Sequence, residues 1–254
     1  MLYGYIGHPL RFGLRAWRVS LLAVCLCVLS LAAVQMAAQT VRPVLDENIV
    51  KGPGKKASGR IEYVNDSLQT LTVVLDSRSF TVSDTGDLSY QPLDSRIHVK
   101  FSSMSFRIPP KQNYFVFYEA WADEVPSWFV VYATFAGFSE RTREGLSLNI
   151  LLPHTIYLLP KQNVRKGELL VKTAEYRPRE KKVIVRVENT GPSFGRVLSV
   201  DVSSAKGAAA SNGFPVFPHS QREVEIPWQA SGGPAKVVMR LEHFRVEHEI
   251  GTAP

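Results

Sequence analysis

Cysteine is nearly absent from this chain: its 254 residues contain two, Cys25 and Cys27. Both lie in the first 38 residues, so a chain that has shed that segment has no disulfide framework and no thiol chemistry. Acidic residues are missing from the same segment, whose only charges are Arg11, Arg15 and Arg18. Removing it leaves 27 Lys+Arg against 23 Asp+Glu, and the net charge falls from +7 to +4. So small an excess, with no long basic run, argues against nucleic acid as a partner. No amphipathic helical pattern is evident anywhere. At 45% apolar and 10% aromatic residues, the chain is neither disordered nor collagen-like, and it is long enough for one large or two small cores.

The N-terminus reads as an address. Basic residues up to Arg18 precede an apolar stretch, Val19–Val34, which ends in Gln35-Met36-Ala37-Ala38-Gln39. A charged region, an apolar region and a small-residue end describe a secretory signal peptide over residues 1–38, cleaved after Ala38. The alternative is an uncleaved anchor, since Val19–Ala38 is just long enough to reach across a bilayer. Cleavage leaves an exported domain with no stable membrane insertion.

Beyond residue 39, short β-branched and aromatic runs recur between clusters of Gly, Pro, Asn, Asp and Ser. They are Gly59–Asn65, Thr70–Leu75, Arg96–Phe101, Tyr114–Trp121, Trp128–Phe135, Leu146–Leu152, Leu169–Tyr176, Lys182–Asn189, Arg196–Val202, Arg222–Trp228 and Lys236–Arg245. This spacing predicts an all-β sandwich architecture. A weak repeat divides it. Ile61-Glu62-Tyr63-Val64-Asn65-Asp66 matches Val185-Arg186-Val187-Glu188-Asn189-Thr190, and Phe106-Arg107-Ile108-Pro109-Pro110 matches Phe214-Pro215-Val216-Phe217-Pro218. Two tandem sandwiches follow, 39–160 and 161–254, with the seam near Leu159-Pro160-Lys161-Gln162.

The search for chemistry returns little. Gly191-Pro192-Ser193-Phe194-Gly195 spells the G-x-S-x-G of a nucleophile elbow, but a strand follows it where a helix is required; a hairpin turn over Asn189–Ser193 is the better account. His243 and His248 flank Glu247 in the last predicted strand, where a five-residue spacing puts them on opposite faces. His98, His154 and His219 are isolated. Gly52-Pro53-Gly54-Lys55-Lys56 lacks the spacing of a phosphate loop and reads as a turn between the first two strands. Asn65-Asp66-Ser67 fits the glycosylation triplet. No catalytic, metal or cofactor constellation emerges, so the chain is not expected to be an enzyme; were it one, His98, His154 or Glu119 would have to converge.

The informative segment is Gly145-Leu146-Ser147-Leu148-Asn149-Ile150-Leu151-Leu152-Pro153. Leu146, Leu148, Ile150 and Leu152 share one face at period two. By itself this describes an ordinary strand covering its own core. Its position is less ordinary: it closes the first sandwich, follows the charged Ser139–Glu144 loop and runs into the seam.

Here the chain resembles the periplasmic pilus-assembly chaperones, the PapD-like family of two immunoglobulin-like domains. Val41-Arg42-Pro43-Val44-Leu45 resembles the family's opening strand and Ile61–Asp66 its second. Phe106–Gln112 resembles the strand and proline turn before the long hairpin, Trp128-Phe129-Val130-Val131-Tyr132 the aromatic strand ahead of the donor strand, and Thr155–Pro160 the entry into the second domain. The resemblance implies a periplasmic protein that lends its alternating strand to an unfinished pilus or fimbrial subunit and works with an outer-membrane usher. It places Leu146, Leu148 and Ile150 as inserted side chains, with Leu152 continuing their row, and Arg42 as an anchor for the subunit's terminal carboxylate. Four buried aliphatic side chains would contribute at most on the order of 6–12 kcal/mol to such strand addition. A bare apolar edge also implies self-association when no subunit is present. The sequence departs from the family where Thr155 replaces the anchoring lysine, Leu159 replaces the arginine before the seam proline, and Ala136-Gly137-Phe138 replaces the motif after the aromatic strand. A secreted or membrane-anchored adhesion module of two sandwiches is the alternative reading.

Overall fold

The computed structural model describes residues 39–138 and 148–252. The expectations for residues 1–38 and for Leu146 lie outside the described residues. The first ten strands are β1 (Gln39–Arg42), β2 (Leu45–Val50), β3 (Ala57–Asn65), β4 (Leu71–Val82), β5 (Leu88–Pro92), β6 (Ile97–Phe101), β7 (Ser105–Ile108), β8 (Gln112–Ala122), β9 (Ser127–Phe138) and β10 (Leu148–Pro160). They form two sheets, β1-β3-β8-β6 and β2-β10-β9-β4-β5, with β7 also on β4. Between them lies a core that includes Ile61, Tyr63, Leu71, Val116, Phe129 and Phe135. The remaining strands are β11 (Leu169–Arg177), β12 (Lys182–Asn189), β13 (Gly195–Ser204), β14 (Gly207–Val216), β15 (Ser220–Pro227), β16 (Lys236–Arg240), β17 (Arg245–Glu249) and β18 (Gly251–Thr252). Their sheets, β15-β12-β11-β18 and β14-β13-β16-β17, enclose a second core around Val185, Val197, Phe214, Trp228 and Met239. The architecture is all-β, as the turn spacing predicted.

Alternation explains the strands. In β8 the burial pattern from Val116 to Ala120 is buried, exposed, buried, exposed, buried, so Val116, Tyr118 and Ala120 face the core. Several expectations are corrected. The opening strand Val41–Leu45 is broken at Pro43: β1 pairs antiparallel with β3, whereas β2 pairs parallel with β10 in the other sheet. Proline lacks the N–H that an uninterrupted ladder needs. The predicted strand Lys236–Arg245 is a hairpin, β16 and β17, closed by the Leu241 amide on the Phe244 carbonyl at 2.9 Å; His243 therefore stands in a turn. Thr70–Leu75 extends to Val82. β14 escaped the reading over Gly207–Gly213 because Gly and Ala carry no strand signal.

The internal repeat has a hydrogen-bonded basis. Asn65, fully buried, donates through Nδ2 to the carbonyls of Gln69, Ile108 and Pro109, while its Oδ1 accepts from the Ser67 amide. Asn189 donates to the carbonyls of Ser193 and Phe217 and accepts from the Gly191 amide. In each sandwich an asparagine at a strand end makes an Asx turn and reaches the proline turn of its repeat. The Asn189–Ser193 segment is consequently not a hairpin: it carries the chain from β12 in one sheet to β13 in the other. The glycosylation triplet is used internally, since the Asn65 amide is buried and spent on three carbonyls.

Candidate functional site: the open edge of strand β10

β10 pairs with β9 from Leu148 to Leu158, but with β2 only from Thr155 to Pro160. Above Thr155, one edge of β10 has no strand beside it among the described residues. The Thr155 amide donates to the Val44 carbonyl at 2.9 Å, which fixes the direction of the backbone groups. By strand alternation the Leu151 amide and the carbonyls of Leu151 and Pro153 point to the same, open side. Pro153 offers that side no donor.

Side chains divide between two faces. Ile150 and Leu152 are half-buried against the first core; His154, Ile156 and Leu158 continue the row, fully buried. Leu148 lies in the strand opposite Phe138, across a register shift, and its side chain is outside the described residues. On the other face Leu151 is 53% exposed. It begins a row that crosses the sheet through Thr134 to Val74, itself 47% exposed. Val44, more exposed still, stands at the foot of the open edge where β2 begins. The open backbone is thus flanked by aliphatic surface.

The lower part of β10 is held by two structures. Inside the sandwich, the buried His154 ring puts Nδ1 2.5 Å from the Pro43 carbonyl. Beside it, the Tyr118 hydroxyl donates to Asp46 at 2.5 Å and accepts from Asn48 at 3.0 Å. Burial, with the Asp46 carboxylate beside it, raises the Tyr118 pKa. Outside, Tyr157 and Leu159 join Phe80, Val130, Phe194 and Phe217 in a third apolar cluster linking the two sandwiches. Phe217 packs on Trp128 with ring centres 4.5 Å apart, and Phe194 on Tyr157 at 5.0 Å. The Arg196 guanidinium donates twice to Glu47 Oε1, at 2.6 and 2.9 Å. The Glu223 amide meets the Asp84 carbonyl of the β4–β5 turn at 2.6 Å. Leu159, which stands where the family resemblance expects arginine, is therefore an apolar member of this junction.

Arg42 is exposed at the end of β1, opposite Glu62, whereas Thr155 lies in the other sheet. The three groups an enzyme would need have separate partners. His98 stacks on Trp121, Glu119 pairs with Lys56 at 2.9 Å, and His154 is enclosed beside Pro43. Sequence reading missed Val44, Val74 and the junction aromatics Phe80, Phe194 and Phe217, whose exposure or partners depend on contacts between distant strands.

No protein-family profile matches the sequence, and no curated protein matches it. Solved structures do. One is a chain from the complex of the Salmonella enterica SafA pilin with the SafB chaperone: 14% identity, TM-score 0.53, covering 85% of this chain and 98% of that one. The class 5 fimbriae chaperone CfaA matches at 14% identity and TM-score 0.50, covering 85% of this chain and all of the other. A chain of the chaperone–tip adhesin complex of CFA/I fimbriae matches at 13% identity and TM-score 0.50, again over 85% of this chain. At such identity the likeness establishes the fold. The two tandem immunoglobulin-like sandwiches expected from the pilus-chaperone resemblance are the fold this chain adopts. Among the described residues no helix is long and apolar enough to cross a membrane.

Proposed function

We propose that this protein is a chaperone of fimbrial subunits, exported to the periplasm by residues 1–38, that completes a subunit's fold with strand β10. The observation that carries the reading is the edge of β10 above Thr155, which has no strand beside it among the described residues, is set in aliphatic surface and is held from below by β2 and the junction cluster. A strand added there gains main-chain hydrogen bonds at Leu151 and Pro153. Leu146, Leu148 and Ile150 fill the subunit's groove, and Leu152 closes the row against the chaperone's own core. Two proteins that share the fold were solved in complexes named for a pilin and a tip adhesin, which supports a partner of this class. Arg42, exposed at the end of β1 just before Pro43, takes the subunit's terminal carboxylate. The loaded complex is passed to an outer-membrane usher, and the empty edge self-associates.

The test is capture of a co-expressed pilin subunit. Leu148→Asp is expected to abolish co-purification. Leu151→Pro removes one outward amide and nothing from the β9 ladder, and is expected to weaken capture at least tenfold, the equivalent of about 1.4 kcal/mol. Undiminished capture by both variants, each folded by circular dichroism, would refute strand donation.

A further inference from the structure

His154 is the one histidine among the described residues that is fully enclosed, and its surroundings fix its protonation. A carbonyl only accepts, so Nδ1, 2.5 Å from the Pro43 oxygen, carries the ring proton. Nε2 is buried and has no hydrogen-bond partner among the described residues. A second proton would have to sit there, in an apolar interior, with no acceptor. The neighbouring groups give no relief. From β2, Asp46 faces the site but its Oδ2 already accepts from Tyr118. From β8, Tyr118 is the titratable group, its ring centre 6.4 Å from the imidazole. β9 presents Val131 in register, and Arg42, next to Pro43, is exposed. Burial is the main influence on the ring and lowers its pKa, outweighing the opposite pull of the Pro43 carbonyl and Asp46.

Pro43 is where the chain leaves one sheet for the other. It therefore fixes where β2 begins and where the open edge of β10 ends. We propose that neutral His154 pins this crossover, and that protonation releases it, freeing β2 and extending the open edge below Thr155. A buried base held neutral in the fold favours folding fully above its ordinary value of about 6.5. That contribution is lost as pH falls below it, because charging the ring then requires opening the structure.

The experiment is amide hydrogen exchange on the isolated protein between pH 7.5 and 5, comparing β2 (Leu45–Val50) with β12 of the second sandwich as an internal reference. Release by one proton raises the β2:β12 exchange ratio by up to about tenfold per pH unit below the ordinary histidine value. In His154→Gln, whose amide can donate a hydrogen bond but does not titrate, the ratio is expected to stay flat. An unchanged ratio in the unmodified protein, or an equal rise in the glutamine variant, overturns the proposal. If the variant does not fold, the imidazole's NMR titration in the unmodified protein decides: an ordinary midpoint without change in β2 signals overturns it. Since no subunit is present, the outcome is independent of strand donation.

Discussion

At the scale of single residues, the two asparagines do the most. Removing a buried amide that donates to several backbone carbonyls forfeits all of those bonds at once, even where a carbonyl keeps a second donor, as Gln69 does in Ser67 and Phe217 in Ser220. Asn65→Ala and Asn189→Ala are each expected to cost about 3 kcal/mol, read as a lowered urea midpoint with unchanged slope. Asn65→Ala should be the worse, since it removes three donated hydrogen bonds where Asn189→Ala removes two. The Glu47–Arg196 pair contributes less. Both side chains keep about a third of their surface in water, where ion pairs are worth well under 1 kcal/mol; its role is geometric, tying β2 to β13.

At the scale of elements, β10 is three strands in one. Its upper part has one edge with no strand beside it among the described residues, its middle encloses His154, and its lower part is covered by β2 on one edge and by the second sandwich on one face. An apolar strand with an open edge invites unwanted pairing, and proline on the open side is one way to limit it. Pro153 occupies that place. Pro153→Val restores an outward amide without changing the β9 ladder, and is expected to shift the protein toward dimers and larger species at lower concentration, measured by light scattering after size exclusion. No change in association would mean that the proline has no protective role at this edge.

At the scale of the whole molecule, an apolar, mostly aromatic cluster connects the two sandwiches. Phe217 touches Trp128, Phe80 and Phe194 and is nearly buried, so Phe217→Ala leaves a cavity with rigid walls. Such truncations cost roughly 3–5 kcal/mol. Because the loss falls on the junction, unfolding is expected to split into two calorimetric transitions while each core keeps its own stability. A single transition shifted downward as a whole would show that the sandwiches remain coupled through the contacts that do not involve Phe217, among them Phe194–Tyr157, Asp84–Glu223 and Glu47–Arg196.

The sequence by itself determined the fold class, the doubling of the architecture and most strand positions, because alternation and turn residues are local signals. It also marked the repeat: Asn65 and Asn189 each close an alternating run of the same pattern, so their equivalence is visible along the chain. It could not show that Pro43 sends one strand into two sheets, that Lys236–Arg245 turns back on itself, or that Gly207–Gly213 is a strand. Those outcomes depend on which partner each segment finds. The candidate site divides in the same way. The aliphatic period of Leu148, Ile150 and Leu152 is legible in the letters. Whether the backbone beside them is paired is not, since a vacant edge is a property of neighbours, and β2 reaches β10 only by folding across more than a hundred residues. The enclosure of His154 was decided there too, where Pro43 and Asp46 from one end of the sandwich and Tyr118 from far along the chain close around one ring.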